Sequence, residues 1–287
     1  MSRERDAPLV SIIVPTYDRA GFLAEALGSV VAQTLEDWEC VVVDDGSPEP
    51  VALPGAVDPR IRLVRRPRNG GPAAARNIGL LEARGAFVTF LDDDDLYTPD
   101  RLALGVEGVG RAPVAVCWVR FVDEATTPAT AKEGRRLEGD VSDTILDGLT
   151  PSLGAVTLAR ELAPAFDEQL DNLEDVDWWL RTAKAHRFTT VPRVGYLFRR
   201  HAGTRHRTDA ASRVADNLRF LEREAEYFER HPRAAALRWK RLGLLAEVAG
   251  DRRQARRAFA RALRHRPSPA TVKHLLRSLR PVGRPAR

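Results

Sequence analysis

The sequence predicts an α/β fold in which a mostly parallel, Rossmann-like central sheet carries helices on both faces, followed by a helical C-terminal appendage. Three observations support this prediction. Short apolar runs rich in β-branched residues, typical of strands buried on both faces, alternate with helical patterns over residues 10–91. Clusters of polar residues directly follow three of these runs. From about residue 207 onward the periodicity is helical throughout.

The first part of the chain alternates strand and helix. Asp18 is expected to cap a helix over residues 19–33, and Gly85 is expected to end a second helix over residues 72–84. Strands buried in a parallel sheet are predicted over Val10–Val14, Cys40–Val43, Ile61–Val64 and Phe87–Leu91.

The pattern is less regular from there to residue 206. Residues 123–150 are polar with Gly and Pro, which predicts a long loop, and Leu173–Lys184 has an apolar stripe at helical spacing. Strands are predicted over Val114–Val122, Leu153–Leu158, Thr189–Val191 and Tyr196–Arg199, and helices over about residues 207–230, 233–249, 251–266 and 269–279. We therefore expect a sheet domain over residues 1–206 and a basic helical region over residues 207–287.

The composition excludes several classes of protein. A hydrophobic content of 44% excludes a disordered chain, and 20 Gly with 19 Pro exclude a collagen-like one. Cys40 and Cys117 each lie in an apolar run and cannot form a disulfide framework or a zinc site. The polar N-terminus and the lack of a long apolar stretch predict neither a signal peptide nor a membrane span. We therefore expect a cytoplasmic location.

The net charge of +5 conceals two oppositely charged parts. Residues 1–198 contain 21 Lys and Arg against 32 Asp and Glu, whereas residues 199–287 contain 24 against 8. Basic segments attract anionic lipids, so the C-terminal helices are expected to allow peripheral contact with the inner face of the membrane. Solvated Arg-rich helix faces are the alternative. No nucleic-acid partner is expected, because no helix-turn-helix, zinc or aromatic RNA-binding pattern accompanies the charge.

The polar clusters fall where the predicted strands end. Residues 16–18 follow the first strand, Asp44 and Asp45 follow the second, and residues 92–95 follow the fourth. In parallel α/β sheets, ligands bind in the crevice beyond the carboxyl ends of the strands. The three clusters are therefore expected to meet at one edge of the sheet.

The run Asp92–Asp95 places four carboxylates side by side, where they repel one another unless a cation is close. Alternate residues of an extended segment point the same way, so Asp92 and Asp94, or Asp93 and Asp95, would share a side. Their oxygens suit Mg²⁺ or Mn²⁺, which phosphate oxygens often complete. A solvated acidic loop is the alternative.

Five strings carry a family resemblance: VSIIVPTYDR (Val10–Arg19), VVVDDGS (Val41–Ser47), GGPAAARNIGL (Gly70–Leu80), FVTFLDDDDLYTPDRL (Phe87–Leu102) and LEDVDWWLR (Leu173–Arg181). In this order and spacing they resemble the inverting nucleotide-sugar glycosyltransferases of family 2, which have the GT-A fold. The resemblance covers about residues 8–201. It implies that the predicted domain over residues 1–206 is a GT-A catalytic domain.

The resemblance implies a nucleotide-sugar site. Its members would be Pro15, Thr16, Tyr17, Asp44, Asp45, Arg76, Asn77, Asp92 and Asp93. The first three would line the base pocket, Asp45 would bind the base, typically uracil, and Asp44 would support the loop. The Arg–Asn pair would lie near the nucleotide-sugar, and Asp92 or Asp93 would contact the ribose or the sugar.

A divalent metal, Mn²⁺ or Mg²⁺, is also implied by the resemblance, as the bridge to the donor diphosphate. Asp94 would be its direct ligand and Asp92 a further contact within the Asp-x-Asp motif. His201 would lie close to the metal and the diphosphate. The fourth aspartate, Asp95, leaves the frame of this motif ambiguous by one residue.

Glu174 and Asp175 match the family's acidic motif that supplies the catalytic base. An inverting transfer needs a carboxylate that removes the proton of the acceptor hydroxyl while its oxygen attacks the anomeric carbon. Asp175 is expected to be this base and Glu174 to contact the acceptor, with acids complementing the helix dipole as the alternative. Of Trp178 and Trp179, one is expected in the core and the other to stack on the acceptor, unless both are core.

The sequence departs from the patterns of this family and of the related processive synthases at two places. Asp18 stands where the family usually has Asn, and both residue types cap helices. The Gln-x-x-Arg-Trp motif of the related processive synthases is absent, because Ala235 precedes Arg238 and Trp239 in its place. We therefore expect transfer of a single sugar from a UDP-sugar to a glycan, lipid-linked or small-molecule acceptor. A non-catalytic binding protein that retains the fold is the alternative.

Overall fold

The computed structural model describes residues 7–53, 58–123, 128–132, 134–200 and 209–279. The chain divides into two compact units. Unit 1 comprises Met1–Ile145, Thr150–Gln169 and Glu174–Gly203, and unit 2 comprises Leu146–Leu149, Leu170–Leu173 and Thr204–Arg287. Two short segments that precede the predicted boundary at residue 206 thus group with unit 2.

Unit 1 is built on a sheet that has nine strands within the described residues, in the order β3-β2-β1-β4-β8-β6-β9-β5, with β7 paired to β6. The strands are β1 (Val10–Thr16), β2 (Trp38–Asp44), β3 (Ile61–Arg65), β4 (Phe87–Phe90), β5 (Leu96–Tyr97), β6 (Val114–Val122), β7 (Pro128–Lys132), β8 (Val156–Ala159) and β9 (Phe188–Arg199).

The first four strands form the parallel part that the sequence predicts. β1 pairs in parallel with β2 and β4, and β2 pairs in parallel with β3. Every residue of β2 is buried, and so is every residue of β1 except the half-buried Pro15. Strands covered on both faces in this way read as continuous apolar runs, which is why the sequence locates them well.

The second part of the sheet is mixed. β8 is antiparallel to β4 and β6, and β5 is antiparallel to β9, whereas β6 and β9 are parallel. The two short strands predicted around residues 189–199 form the single strand β9, whose register against β6 shifts near Trp118. The predicted strand Leu153–Leu158 begins instead with a 3₁₀ turn, and only its second half pairs.

The described part of unit 1 contains four α-helices: α1 (Ala20–Val31), α2 (Gly71–Glu82), α3 (Arg101–Val109) and α4 (Glu174–Ala185). The sequence does not predict α3, because Gly105 and Gly108 disfavour a helix. At Gly108 a Cβ would collide with Ala115 of β6, so this glycine allows the helix to pack closely on the sheet. The loop predicted over residues 123–150 also contains a strand, β7.

The prediction that Asp18 caps α1 is wrong. Asp18 has a left-handed φ of 54°, the N-cap is Arg19, and no side chain caps the helix. The backbone N–H of Asp18 donates to Ser47 Oγ over 3.0 Å. Asn and Asp are the residues that best tolerate this backbone region after glycine, which gives the Asn-to-Asp exchange its physical reason.

Unit 2 contains five helices in its described residues: α5 (Ala210–Arg223), α6 (Ala225–Arg230), α7 (Pro232–Val248), α8 (Arg252–His265) and α9 (Pro269–Leu279). The helix predicted over residues 207–230 is thus two helices that meet at Glu224. A buried cluster of Ala246, Ala255 and Phe259 joins α7 to α8. Within the described ranges, no helix combines the length and apolarity that crossing a membrane requires.

Candidate active site

Parallel pairing brings three polar segments to one edge of the sheet. β1 ends at Thr16, which lies opposite Asp44 at the end of β2. On the other side of β1, β4 leads into the aspartate run. The Thr16 hydroxyl donates to Asp93 Oδ2 over 2.7 Å, and the N–H of Asp45 donates to the Thr16 carbonyl over 2.9 Å. Hydrogen bonds therefore join the three segments at the edge where parallel strands predict them.

Tyr17 is the exposed residue of the proposed base pocket. Its relative exposure is 37%, whereas Thr16 is buried and Pro15 is half-buried, with Val43 of β2 as its partner across the strand pair. An aromatic ring held at the edge of the sheet provides an apolar surface against which a base can pack.

Arg19 supplies the positive charge nearest to the middle of the aspartate run. Its Nη1 lies 2.8 Å from Asp94 Oδ2 and 3.4 Å from Asp93 Oδ1, and both carboxylates are buried. Burial, reinforced by the charges of Asp94 and Asp92, raises the pKa of Asp93 to about 6, although bonds from Thr16 and Arg19 oppose this. The site thus concentrates negative charge that a cation stabilises.

Arg76 joins the aspartate run to the second acidic motif. Its Nη2 donates to Asp92 Oδ1 over 2.8 Å, and its Nη1 donates to Glu174 Oε1 over 3.1 Å. Burial alone would lower the pKa of Arg76, but the two carboxylates outweigh it and hold the pKa above its usual range. Within the described residues its Nε has no hydrogen-bond partner, so one donor of this buried guanidinium is unsatisfied.

Glu174 and Asp175 begin helix α4 and differ in burial. Glu174 is buried, and Asp175 is half-buried. Burial and the neighbouring charge of Asp175 raise the pKa of Glu174 to about 7, against the opposing effect of Arg76. Asp175 Oδ1 accepts from the N–H of Val176 over 2.7 Å. The pair therefore combines a buried carboxyl whose pKa is raised toward neutral pH with a second carboxyl that is more accessible.

Asp44 ends β2, Asp45 directly follows it, and the two residues hold different loops. Asp44 accepts from the N–H groups of Ser47 and Val51, over 2.9 and 3.3 Å. Burial tends to raise the pKa of Asp44, but these bonds and the charge of Arg65 lower it overall. Asp45 is also buried, and its carboxylate accepts from the N–H of Gly71, over 2.7 Å, at the start of α2.

Asn77 points to a neighbouring loop. Its Nδ2 donates to the Phe166 carbonyl over 3.0 Å and to Glu168 Oε1 over 2.8 Å, and its Oδ1 accepts from the N–H of Phe166 over 2.7 Å. The guanidinium carbon of Arg76 lies 5.5 Å from the centre of the Phe166 ring. Asn77 therefore holds the loop whose aromatic ring covers Arg76, and so acts on the site through its neighbour.

Asp95 is tied to β9 by both carboxylate oxygens. Its Oδ2 accepts from the hydroxyl of Tyr196 over 2.5 Å, and its Oδ1 accepts from the N–H of Arg199 over 2.8 Å. Asp95 is almost fully buried, whereas Asp92, at the other end of the run, keeps a 31% exposed side chain. This geometry favours the frame Asp92-x-Asp94 over Asp93-x-Asp95 for an Asp-x-Asp motif.

The two tryptophans of α4 are both core residues. Trp178 and Trp179 have no exposed surface, and their Nε1 atoms each donate over 2.9 Å, to the carbonyls of Pro164 and Pro151. Trp178 stacks on Phe166 with the ring centres 5.6 Å apart. The expectation that one of them stacks on an acceptor is therefore wrong, and the alternative that both are core residues is confirmed.

The donor chemistry of the aspartate run fits a divalent metal of the Mg²⁺ or Mn²⁺ type. Within the described residues no three His, Cys, Asp or Glu side chains form a group that could hold a metal by themselves. Such ions commonly take one or two carboxylates and complete their shell with water and phosphate oxygens, which Asp92 and Asp94 match. His201, predicted as a further ligand, lies outside the described residues.

Two charged residues of the site were missed by the sequence reasoning. Arg19 contacts Asp93 and Asp94, and Arg66 forms an ion pair with Asp45. Arg19 directly follows the first polar cluster, so its place after β1 was an available signal. Arg66 carried no such signal, because its contact depends on how the segment after β3 folds back to Asp45.

Comparison with known proteins identifies the class. Residues 11–151 match the model of the family described as Glycosyl transferase family 2. These residues, which carry the strands β1 to β4 and the aspartate run of the site, are therefore similar to that family. The resemblance inferred from the sequence motifs is thereby confirmed.

Named relatives match a similar part of the chain. Succinoglycan biosynthesis protein ExoW of Rhizobium meliloti (strain 1021) is 43% identical over 117 residues, which are 38% of this chain and 36% of ExoW. The putative colanic acid biosynthesis glycosyl transferase WcaA of Escherichia coli (strain K12) is 38% identical over 104 residues, 35% of this chain and 37% of WcaA. The match thus spans little more than a third of the length of either relative.

Solved structures confirm the predicted GT-A fold. The crystal structure of S. aureus TarS 1–349 in complex with UDP-GlcNAc has a TM-score of 0.65 and 20% sequence identity, covering 93% of this chain and 83% of that one. The complex of the same TarS fragment with UDP has a TM-score of 0.62 at 19% identity, with the same coverage.

Proposed function

We propose that this chain is a metal-dependent inverting glycosyltransferase, which moves a single sugar from a UDP-sugar to an acceptor hydroxyl by direct displacement. One observation carries the proposal: Arg76 bridges Asp92 of the aspartate run and Glu174 of the second acidic motif at the carboxyl edge of the parallel strands. The family match over residues 11–151 supports glycosyl transfer. The TarS complexes with UDP-GlcNAc and UDP support a uridine nucleotide donor.

The donor would occupy the edge formed by the ends of β1, β2 and β4. Tyr17 offers its exposed ring to the base, beside the loops that Asp44 and Asp45 hold. The unpartnered Nε–H of Arg76 would donate to an oxygen of the donor close to Asp92. Charge-assisted bonds of this kind are shorter and stronger than neutral ones and orient the donor.

Asp175 is proposed as the general base, because it is the more accessible carboxylate of its pair. It takes the proton of the acceptor hydroxyl while the hydroxyl oxygen forms a bond to the anomeric carbon. The bond from that carbon to the diphosphate oxygen breaks on the opposite face, and its electron pair leaves with the diphosphate. Configuration at the anomeric carbon is inverted because attack and departure lie on opposite faces.

Asp94 and Asp92, with His201, are the residues we propose to hold Mn²⁺ or Mg²⁺. When bound, such an ion acts as a Lewis acid that stabilises the negative charge of the leaving diphosphate. Arg19 would contribute to the same charge balance, because its guanidinium already lies against Asp94.

A panel of UDP-, GDP-, CDP- and dTDP-sugars tests the proposal by thermal stability and isothermal titration calorimetry, each with and without Mn²⁺. We expect saturable binding of a UDP-sugar that requires the metal and is lost in Asp94→Ala, but is kept in Asp171→Ala, which changes an exposed aspartate. Absence of binding to every sugar, both with and without Mn²⁺, would refute the proposal. Binding without any transfer or hydrolysis would favour a non-catalytic nucleotide-sugar-binding protein.

A further inference from the structure

The C-terminal part of the chain contains basic but no acidic side chains. After Asp251 the sequence contains 12 Lys and Arg and no Asp or Glu. In α8 the buried residues are Ala255, Ala258, Phe259 and Ala262. The arginines of α8 that are exposed to solvent are Arg253, Arg256, Arg257, Arg261 and Arg264. Helix α8 therefore presents a wholly basic face opposite its small, apolar packing face.

Helix α9 adds apolar side chains to this exposed surface. Val272, Leu276 and Leu279 are 41%, 59% and 54% exposed, and their spacing of four and three residues places them on one side of the helix. The exposed Lys273 and Arg277 lie beside this stripe. An exposed apolar stripe next to basic residues is the pattern of a helix that lies in a membrane interface.

The basic and the apolar parts are neighbours within unit 2. The ring of Phe259 in α8 stacks on that of His274 in α9, with the ring centres 5.4 Å apart. Glu247, near the end of α7, lies 3.9 Å from His274 Nδ1. We define the exposed side chains of α8 and α9 named above as the α8–α9 surface.

We propose that the α8–α9 surface binds the surface of an anionic lipid bilayer. Charge complementarity supports this occupant, because each Lys or Arg near an anionic membrane contributes about 1 kcal/mol, or about fivefold in affinity. The apolar stripe distinguishes a bilayer from a polyanion such as RNA, because only the bilayer offers hydrocarbon in which Val272, Leu276 and Leu279 can be buried. The proposal goes beyond sugar transfer and does not depend on the donor.

The test is co-sedimentation of the full chain with vesicles of phosphatidylcholine, or of equal parts of phosphatidylcholine and phosphatidylglycerol. We expect binding to the anionic vesicles that weakens as salt is raised, and little binding to the neutral ones. Arg253→Gln with Arg257→Gln should reduce the affinity roughly tenfold or more. Leu276→Ser with Leu279→Ser should also reduce it, although the charge is unchanged.

Matched control variants test whether binding depends on the α8–α9 surface itself or only on the total charge and hydrophobicity of the protein. Arg230→Gln with Arg233→Gln changes two exposed arginines outside the surface, and Leu81→Ser with Leu149→Ser changes two exposed leucines elsewhere. Both control pairs should bind the anionic vesicles as the parent does. Circular dichroism confirms that every variant is folded before it is compared.

Three results would overturn the proposal. The first is equal binding to neutral and anionic vesicles, and the second is an affinity that the arginine and leucine pairs leave unchanged. The third is loss of affinity in the arginine pair alone, together with tighter binding to duplex RNA than to the vesicles, which would indicate a general polyanion site. Donor binding is measured without vesicles, so failure here leaves the proposed transfer reaction untouched.

Discussion

The aspartate site of unit 1 and helix α8 of unit 2 place their charged residues in opposite ways. In unit 1, charged side chains are buried against one another, as in the contacts of Arg76 with Asp92 and Glu174. In unit 2, the arginines of α8 lie on an exposed face, and the buried positions of that helix are alanine and phenylalanine. Burying an ion pair rarely stabilises a fold, whereas an exposed charge costs little. The buried charges of unit 1 are therefore the ones that indicate chemistry.

The largest expected effect is on transfer by Asp175→Asn. Loss of a general base lowers turnover by about 100-fold to 10,000-fold, while donor binding should change little because Asp175 is proposed to act on the acceptor. Release of UDP from a UDP-sugar, with and without acceptor, measures the rate, and calorimetry measures the affinity. The exposed Glu161→Gln serves as the control. Parent-level turnover in Asp175→Asn would remove Asp175 from the mechanism.

The next largest effect is expected on stability, from Arg76→Met. Removing one partner of a buried pair leaves uncompensated charge, which costs about 3–5 kcal/mol of unfolding free energy. Urea unfolding of Arg76→Met, Glu174→Gln and the double variant measures this. The double variant should lose less than the sum of the single losses, because it no longer contains the unpaired Glu174. Strictly additive losses would show that the bridge is not a coupled unit.

Glu174 should also make stability depend on pH. Its pKa is raised from 4.5 to about 7 in the folded protein, so the folded state binds its proton more tightly than the unfolded state does. This contribution to stability is fully present below pH 4.5 and is lost as the pH rises through about 7. Thermal unfolding across this range should show a shallower decline in Glu174→Gln than in the parent. Identical pH profiles would contradict the raised pKa.

Local sequence patterns predicted the parallel strands of unit 1, because buried strands have a recognisable apolar pattern. The strands β1 and β2 are buried on both faces and read as apolar runs, and the parallel order of β1, β2 and β4 places Thr16, Asp44 and the aspartate run at one edge. Helix α3 escaped prediction because its glycines, which lower helix propensity, are used for close packing against β6.

The frame of the aspartate run could not be predicted, because it is decided by distant residues. Asp95 is withdrawn from the run by Tyr196 and Arg199, which lie 101 and 104 positions further along the chain. The burial of Trp179 likewise depends on Pro151, which accepts its Nε1–H across 28 positions. Contacts of this range follow from tertiary packing, which a single sequence does not reveal without its fold.

Tyr196→Phe tests the anchoring of Asp95 and should have a moderate effect. Loss of the hydroxyl leaves a buried carboxylate oxygen with one donor fewer, which costs about 1–3 kcal/mol of unfolding free energy. Mn²⁺ affinity measured by calorimetry should fall as well, because this contact anchors Asp95, the residue that directly follows the proposed ligand Asp94. Tyr227→Phe, at a buried tyrosine of unit 2, is the control for metal affinity. Unchanged stability and unchanged metal affinity would show that β9 does not position the run.

The smallest effect is expected from Arg241→Gln, which changes an exposed arginine of α7 in unit 2. Surface substitutions of this kind change the unfolding free energy by no more than about 0.5 kcal/mol, because the charge is solvated in the folded and the unfolded state alike. The matched change in unit 1 is Arg101→Gln. Arg101 is fully buried and donates to the carbonyls of Gly154 and Val156 and to the hydroxyls of Thr89 and Thr157.

Arg101→Gln should therefore cost several times more unfolding free energy than Arg241→Gln, since one amide cannot replace four donated hydrogen bonds and the acceptors stay buried. Urea unfolding of the two variants beside the parent measures the difference. Equal losses of unfolding free energy would mean that burial does not determine how much these two arginines contribute to stability. A large loss of unfolding free energy in Arg241→Gln alone would show that the exposed arginines of unit 2 stabilise its fold. It would contradict the expectation that buried charges contribute more to stability than solvated ones.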